Sequence, residues 1–220
     1  MYVLTHKNRV LAGPMDWNRA IFDGNLTKLK IIKTLPRVVP ETLPLVIDEH
    51  TVIYAVEFNE PVYNKKINYL EGPYWTYEND RAIAGYLVKD QPVDSVRANL
   101  KLQAADVRWA KETAGTTVTI QDTAVTVDTA RGSRDIFVQK YLLMSDSDVV
   151  TWKFPEAWLT LSKSDLGAVV AAGAGHVQDA FAWEKQISDA IDSADTLAEL
   201  DEIVIVEPVV SDVNNGPLAE

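Results

Sequence analysis

The hydrophobic period changes at Gln91-Pro92, and nothing else in the sequence constrains the fold as much. Upstream, apolar residues fall in short alternating runs; downstream, they recur every three or four positions. Period two buries one face of a strand, whereas a period near 3.6 buries one stripe of a helix. Two modules are therefore expected, a β-rich one over residues 1–91 and an α+β domain over 92–205, followed by an extended tail over 206–220. The fold class this predicts is α+β.

The charge divides at the same place. Residues 1–92 carry 11 basic and 11 acidic side chains, and residues 93–220 carry 10 and 21, so the whole net charge of −11 lies in the second half. An acidic surface repels phosphate backbones, which argues against nucleic acid as a partner and for a solvated face. The chain has no cysteine, so it has no disulfide, thiolate metal site or cysteine nucleophile. MYVLTHKNRV lacks the basic-then-apolar form of a signal peptide, and no window approaches the roughly 20 apolar residues of a membrane helix. A soluble protein made in a cytoplasm is expected.

Within the first module, Tyr2–Thr5 and Arg9–Ala12 read as strands around a Lys7-Asn8 turn, with Gly13-Pro14 closing the second. Thr51–Phe58 and Arg81–Lys89 have strand composition. Between them, LPRVVPETLP places Pro36, Pro40 and Pro44 four apart, which excludes helix and predicts an extended arm over residues 33–47. The arm can pack across its own sheet or strap a neighbouring copy. Apolar residues around each proline argue against a proline-rich ligand for a signalling domain.

In the second module, Pro92-Val93-Asp94 opens a helix, with Asp94 placed to cap it, that runs through Leu100, Ala104, Val107 and Ala110-Lys111 to Gly115. TTVTIQDTAVTVDT alternates on either side of Gln121-Asp122-Thr123, the pattern of a hairpin. A short helix from Ser133 to about Met144 and strands at Val150–Phe154 and Trp158–Leu161 follow. The longest helix starts at Ser164-Asp165 and carries Leu166, Val169-Val170, Gly173, Val177, Ala180-Phe181, Glu184, Ile187 and Ile191 along one side. Gly167, Gly173 and Gly175 each cost a helix about 1 kcal/mol, so close packing against this face is expected. Thr196-Leu-Ala-Glu199 is a capping box opening a last short helix.

Chemical signatures are few. His6, His50 and His176 have no partners at metal-ligand spacing, and His176 reads as a half-buried histidine bonded to a carbonyl or to Asp179. Asp146-Ser147-Asp148 lacks the glycine and distal glutamate of a calcium loop and reads as a solvated turn. Asp189, Asp192 and Asp195 read as the polar face of a helix end. Gly173-Ala174-Gly175 has neither the strand nor the lysine of a phosphate loop, and no G-x-S-x-G elbow exists. A carboxylate pair for glycoside cleavage need only meet in space, and nothing singles one out. No catalytic, metal or cofactor-binding residue is expected, and no cofactor.

YLEGPYWTYEND, residues 69–80, is the strongest binding candidate. Tyr74, Trp75, Tyr77 and Asn79 around a Gly-Pro turn could stack on a host-surface glycan and hydrogen-bond its hydroxyls. On a strand, however, Tyr74 and Thr76 point one way and Trp75 and Tyr77 the other, so packing or a subunit interface is the favoured reading.

VRWAKETAG (107–115), VTWKF (150–154), HVQDAFAWEKQI (176–187) and SADTLAELDEI (193–203) together resemble a known family over Val93–Ile203. It is the domain of unknown function found at the C-terminus of many bacteriophage tail and tail-fibre-associated proteins. The chain departs from it at the hairpin exit, where Val127-Asp-Thr-Ala-Arg131 stands in place of Thr-Asp-Arg. The resemblance implies a non-enzymatic structural component of a virion, tail-associated as a fibre, baseplate or connector protein, made in the host bacterial cytoplasm. It implies other virion proteins as partners and a homo-oligomer in a symmetric ring or fibre. A glycan-binding receptor module, a tail-fibre assembly chaperone and a head-decoration protein are the alternatives.

Overall fold

The computed structural model describes residues 1–206, so all of the expected tail except Val206 lies outside the described residues. The chain forms two units that divide between Gln91 and Pro92. The first is strand-rich and the second mixes helices with two hairpins; the protein is α+β.

Unit 1 is built on a curled six-stranded sheet. Its strands are β1 (Tyr2–His6), β2 (Arg9–Met15), β3 (Leu45–Val46), β4 (Thr51–Asn59), β5 (Asn68–Glu78) and β6 (Arg81–Asp90). The order is β2-β1-β4-β6-β5, with β3 beside β4; β4 and β6 are parallel and the other pairs antiparallel. Gly13-Pro14 does not close β2: the strand continues to Met15 through shifts in its register with β1. At Gly13 the backbone has φ +100°, and a Cβ there would sit 2.4 Å from the Tyr2 carbonyl oxygen.

Helix α1 (Arg19–Lys28) lies between β2 and β3, capped by Asn18, whose side chain accepts from the Ile21 amide. The sequence gives little sign of it. It contains Gly24 and Asn25, and only Phe22 and Leu26, one turn apart, are buried. Packing forms this helix rather than propensity. Phe22 and Leu26 close a core with Leu4, Leu35, Ile47 and Ile53, and each such fully buried side chain contributes about 1.5–3 kcal/mol.

The Pro-spaced segment has no helix, as expected, and its two ends pack within its own unit. Leu35 and Ile47 enter that core. The Trp17 indole N–H donates to the Pro36 carbonyl at 3.3 Å, and Lys33 Nζ donates to the Val46 and Ile47 carbonyls at 3.0 and 3.2 Å. Pro36 is exposed, Pro40 and Pro44 are half-buried, and Val38 at the crest is 74% exposed.

Unit 2 comprises α2 (Val93–Thr113), the hairpin β7 (Thr116–Ile120) and β8 (Thr123–Val127), α3 (Arg131–Leu143), the hairpin β9 (Val149–Lys153) and β10 (Trp158–Ser162), α4 (Lys163–Ser193) and α5 (Leu197–Glu202). Both hairpins and α3 pack on α4 around Val125, Val127, Phe137, Phe154, Leu161, Leu166 and Val169. Asp94 does not cap α2. Pro92 is the N-cap and makes no side-chain cap bond, while Asp94 pairs with Arg97 at 2.7 Å. Arg97 in turn donates to the Ile191 and Ala194 carbonyls, tying down the end of α4. Helix α4 begins earlier than expected, at a Ser162–Asp165 capping box, and α5 opens on the expected Thr196–Glu199 box.

The departure at the hairpin exit has a clear local role. Asp128 accepts from the Ala130 amide and the Ser133 hydroxyl, fixing the entry to α3. These bonds hold its carboxyl below the usual aspartate range. Thr129, fully buried, accepts from the Gly115 amide at 2.9 Å and so ties the end of α2 to the hairpin exit.

Candidate functional site

The Tyr69–Asp80 segment is a strand through Glu78 followed by a turn, but the turn is not at Gly72-Pro73. Gly72-Pro73 falls inside β5, where the register with β6 shifts between Glu71 and Tyr74: a bulge. The turn is Asn79-Asp80, with φ of 50° and 62°. Lys7-Asn8 and Gln121-Asp122 repeat that left-handed pair, which matches the twist of two-residue hairpins. Asn79 is therefore a turn residue.

The register sorts the aromatics onto two faces. Trp75 lies opposite Ala84 and Tyr77 opposite Ala82, and both alanines are fully buried. The Tyr77 ring packs 5.0 Å from that of Tyr54, and its hydroxyl donates to the Asn8 carbonyl at 3.4 Å. Burial raises the Tyr77 pKa, and Tyr54 adds to the rise. The two rings meet across β6, which lies between β4 and β5 in the sheet. Tyr74 lies on the other face with Tyr69, Glu71, Leu87 and Lys89. Tyr69, Tyr74 and Leu87 are 46%, 48% and 51% exposed, and Lys89 pairs with Glu71 at 3.5 Å. The exposed aromatic surface is thus Tyr69–Tyr74, and Trp75 and Tyr77 take no part in it.

In unit 2 the structure assembles a charged cluster that sequence reading missed. Helix α2 buries Val96, Leu100 and Ala104 at intervals of four, and the next two steps of that stripe are Arg108 and Glu112. Charged residues on an apolar stripe were the available signal. Glu112 is 1% exposed. One of its oxygens accepts from Arg108 Nη1 and the other from Arg134 Nη2 on α3 at 2.7 Å, with Arg131 Nε at 3.7 Å. Arg108 Nε also donates to Glu184 on α4 at 3.0 Å, and its guanidinium lies 4.8 Å from the centre of the Phe181 ring. Desolvation alone would raise the Glu112 pKa. The hydrogen bonds and charges of Arg134 and Arg108 overcome it and hold the carboxyl below the usual glutamate range. The group is a fixed anion with fixed partners, suited to joining three helices and unsuited to proton transfer.

The other candidates resolve as structural groups. His176 Nε2 donates to the Lys111 carbonyl at 2.7 Å, a second tie between α2 and α4. His6 shares a 2.9 Å hydrogen bond with the Thr51 hydroxyl, and its ring lies edge-on to His50 at 6.2 Å. Asp148 accepts from the Ser145 amide and Asp146 pairs with Lys163, making the expected turn. Asp189 pairs with Lys185 and Asp192 with Lys101. Among the described residues no group of three or more His, Cys, Asp or Glu side chains is arranged to hold a metal ion. Of the three glycines of α4, only Gly167 meets the expected close packing, with its Cβ position 3.1 Å from the Tyr141 ring. Gly175 is exposed, and Gly173, though buried, has open space where a Cβ would be.

Residues 95–205 match the family model described as "Domain of unknown function (DUF4376)". The chain belongs to this family. The match spans the charged cluster and the whole of α4, so Arg108, Glu112, His176, Phe181 and Glu184 all lie inside it. The resemblance drawn from VRWAKETAG and HVQDAFAWEKQI rests on the residues that tie α2 to α3 and α4. No curated protein and no solved structure matches the chain. No helix among the described residues is long and apolar enough to cross a membrane.

Proposed function

We propose that the chain is a non-enzymatic structural component of a bacteriophage virion, tail-associated, that acts by protein–protein assembly. What carries the reading is the resemblance of the Val93–Ile203 sequence to the C-terminal domain of tail and tail-fibre-associated proteins, over the same stretch as the match to a domain of unknown function at residues 95–205. Two features of unit 1 support it. The Tyr69–Tyr74–Leu87 face combines exposed aromatic and apolar side chains with the Glu71–Lys89 pair, and aromatic residues are enriched at interface cores. It lies at β5, an 11-residue strand at the end of the sheet order whose outer edge pairs with no other strand among the described residues. Unit 1 is the docking module in this reading, and unit 2 is a rigid body locked by the Glu112 cluster.

The test is mass spectrometry of gradient-purified particles, followed by antibody labelling in electron micrographs. A stoichiometric band with label on the tail is expected. Presence in lysates but absence from particles would replace the reading with an assembly chaperone, and label on the capsid with a head-decoration protein. Glycan recognition is a second reading, favoured by Tyr69 and Tyr74 sharing an exposed face with Glu71. It requires saccharide affinity that is lost in Tyr74→Ala and kept in Trp75→Ala.

A further inference from the structure

Unit 2 contains a cleft of about 470 Å³ between α3 and α4, within the size range of small-molecule sites. Phe137, Val138, Val169 and Val177 give it apolar walls, and Arg131, Arg134 and Asp135 are the charged residues that line it. Two independent observations mark it as a built cavity.

The first is Gly173, which lines the cleft near the middle of the 31-residue helix α4. Glycine is the poorest ordinary helix former, and it is usually tolerated where another backbone approaches closely. No such approach exists here, since a Cβ would meet no atom within 4 Å beyond its own stretch of backbone. What the missing side chain provides is space in the cleft.

The second is Arg134. Its Nη2 is committed to Glu112, but its Nε–H is buried and has no hydrogen-bond partner among the described residues. A buried donor without an acceptor is costly, and a small turn of the Arg134 side chain, which lines the cleft and is 23% exposed, would bring that N–H to an acceptor there. Arg131 is 65% exposed, rests 4.7 Å over the Trp109 ring and has only a long contact to Glu112, so its guanidinium can turn to a ligand. Arg108, Arg131 and Arg134 are matched in number by Glu112, Glu184 and Asp135, so a preference for an acid rests on direct contact with the Arg131 and Arg134 guanidiniums.

We infer that the cleft binds a small organic acid, one carboxylate on a compact apolar body, with the carboxylate accepting from Arg134 Nε and Arg131 and the body lying against α4 beside Gly173. This goes beyond the assembly role and does not depend on it. A ligand bridging α3 and α4 would stiffen unit 2 where its two longest helices are already tied to α3 through Glu112.

The experiment uses the full chain with 4-phenylbutyrate as the acid and 4-phenylbutyramide as its neutral isostere, titrated by protein-observed NMR to about 10 mM. A charge-assisted hydrogen bond predicts that the acid binds about tenfold or more tighter than the amide, with shifts at Gly173 and Val177. Gly173→Leu fills the cavity with a good helix former and leaves the charged cluster intact. It is expected to weaken acid binding about tenfold or more while raising the melting temperature. Asp135→Asn is expected to tighten the acid and leave the amide unchanged. Equal affinity for acid and amide, no saturable shift from either, or undiminished binding by Gly173→Leu would each overturn the inference.

Discussion

Among the described residues, replacing Glu112 by alanine removes the one acceptor of Arg134 Nη2 and one of the two carboxylates that Arg108 pairs with. Glu112 is 1% exposed, and the Arg108 and Arg134 side chains are 14% and 23% exposed. Deleting one member of a buried ion pair costs about 3–5 kcal/mol, because the surviving charges stay desolvated. Glu184 still neutralises Arg108, so the lower half of that range, about 3 kcal/mol, is expected for Glu112→Ala. Glu112→Gln keeps the shape and an acceptor but loses the charge, and about half that loss is expected. Far-UV circular dichroism in urea suits the test, since four of the five described helices belong to unit 2. With a slope of about 1–3 kcal/mol per molar urea, the alanine variant should lose roughly 1–3 M from its midpoint. A midpoint within about 0.3 M of wild type would show that the cluster is not what joins α2, α3 and α4.

Because Glu112 titrates below its ordinary 4.5 in the folded protein, its stabilisation is present above that value and is lost as pH falls through the depressed folded pKa. The stability gap between wild type and Glu112→Gln, read from urea midpoints, should therefore be full at neutral pH and shrink steadily below about pH 4.5. Gly13→Ala should destabilise unit 1 by about 2 kcal/mol or more, since it combines positive φ with a 2.4 Å clash on the Tyr2 carbonyl; thermal melting followed by tryptophan fluorescence checks this. Tyr77→Ala should cost about 3 kcal/mol and Tyr74→Ala under about 1, because Tyr77 packs on Tyr54 and over Ala82 whereas Tyr74 is about half exposed; equal losses would contradict the assignment of the two faces.

The parts of the fold that could be read from sequence are those where local chemistry and tertiary demand agree. The hairpins at Lys7-Asn8 and Gln121-Asp122, the long α4 and the Thr196–Glu199 box all follow from patterns confined to a few neighbouring residues. Gly72-Pro73 misled because the dipeptide that marks turns also suits a bulge, and only the pairing of β5 with β6 distinguishes the two. Helix α1 was hidden because two buried side chains in a stretch with Gly24 and Asn25 give almost no periodic signal. The Arg108–Glu112 cluster was hidden differently. Both residues continue the buried stripe of α2, but their partners Arg134 and Glu184 lie on other helices, 22 and 76 positions away in sequence. A charged pair at a spacing of four reads as a solvated surface pair until the neighbours that bury it are known.

The virion assignment stands or falls on the composition of the particle. Quantitative mass spectrometry of gradient-purified phage should find this chain in multiple copies, at a fixed ratio to the tail proteins that survives high-salt washing. Its absence from infectious particles, with abundant protein left in the infected-cell lysate, would contradict the account.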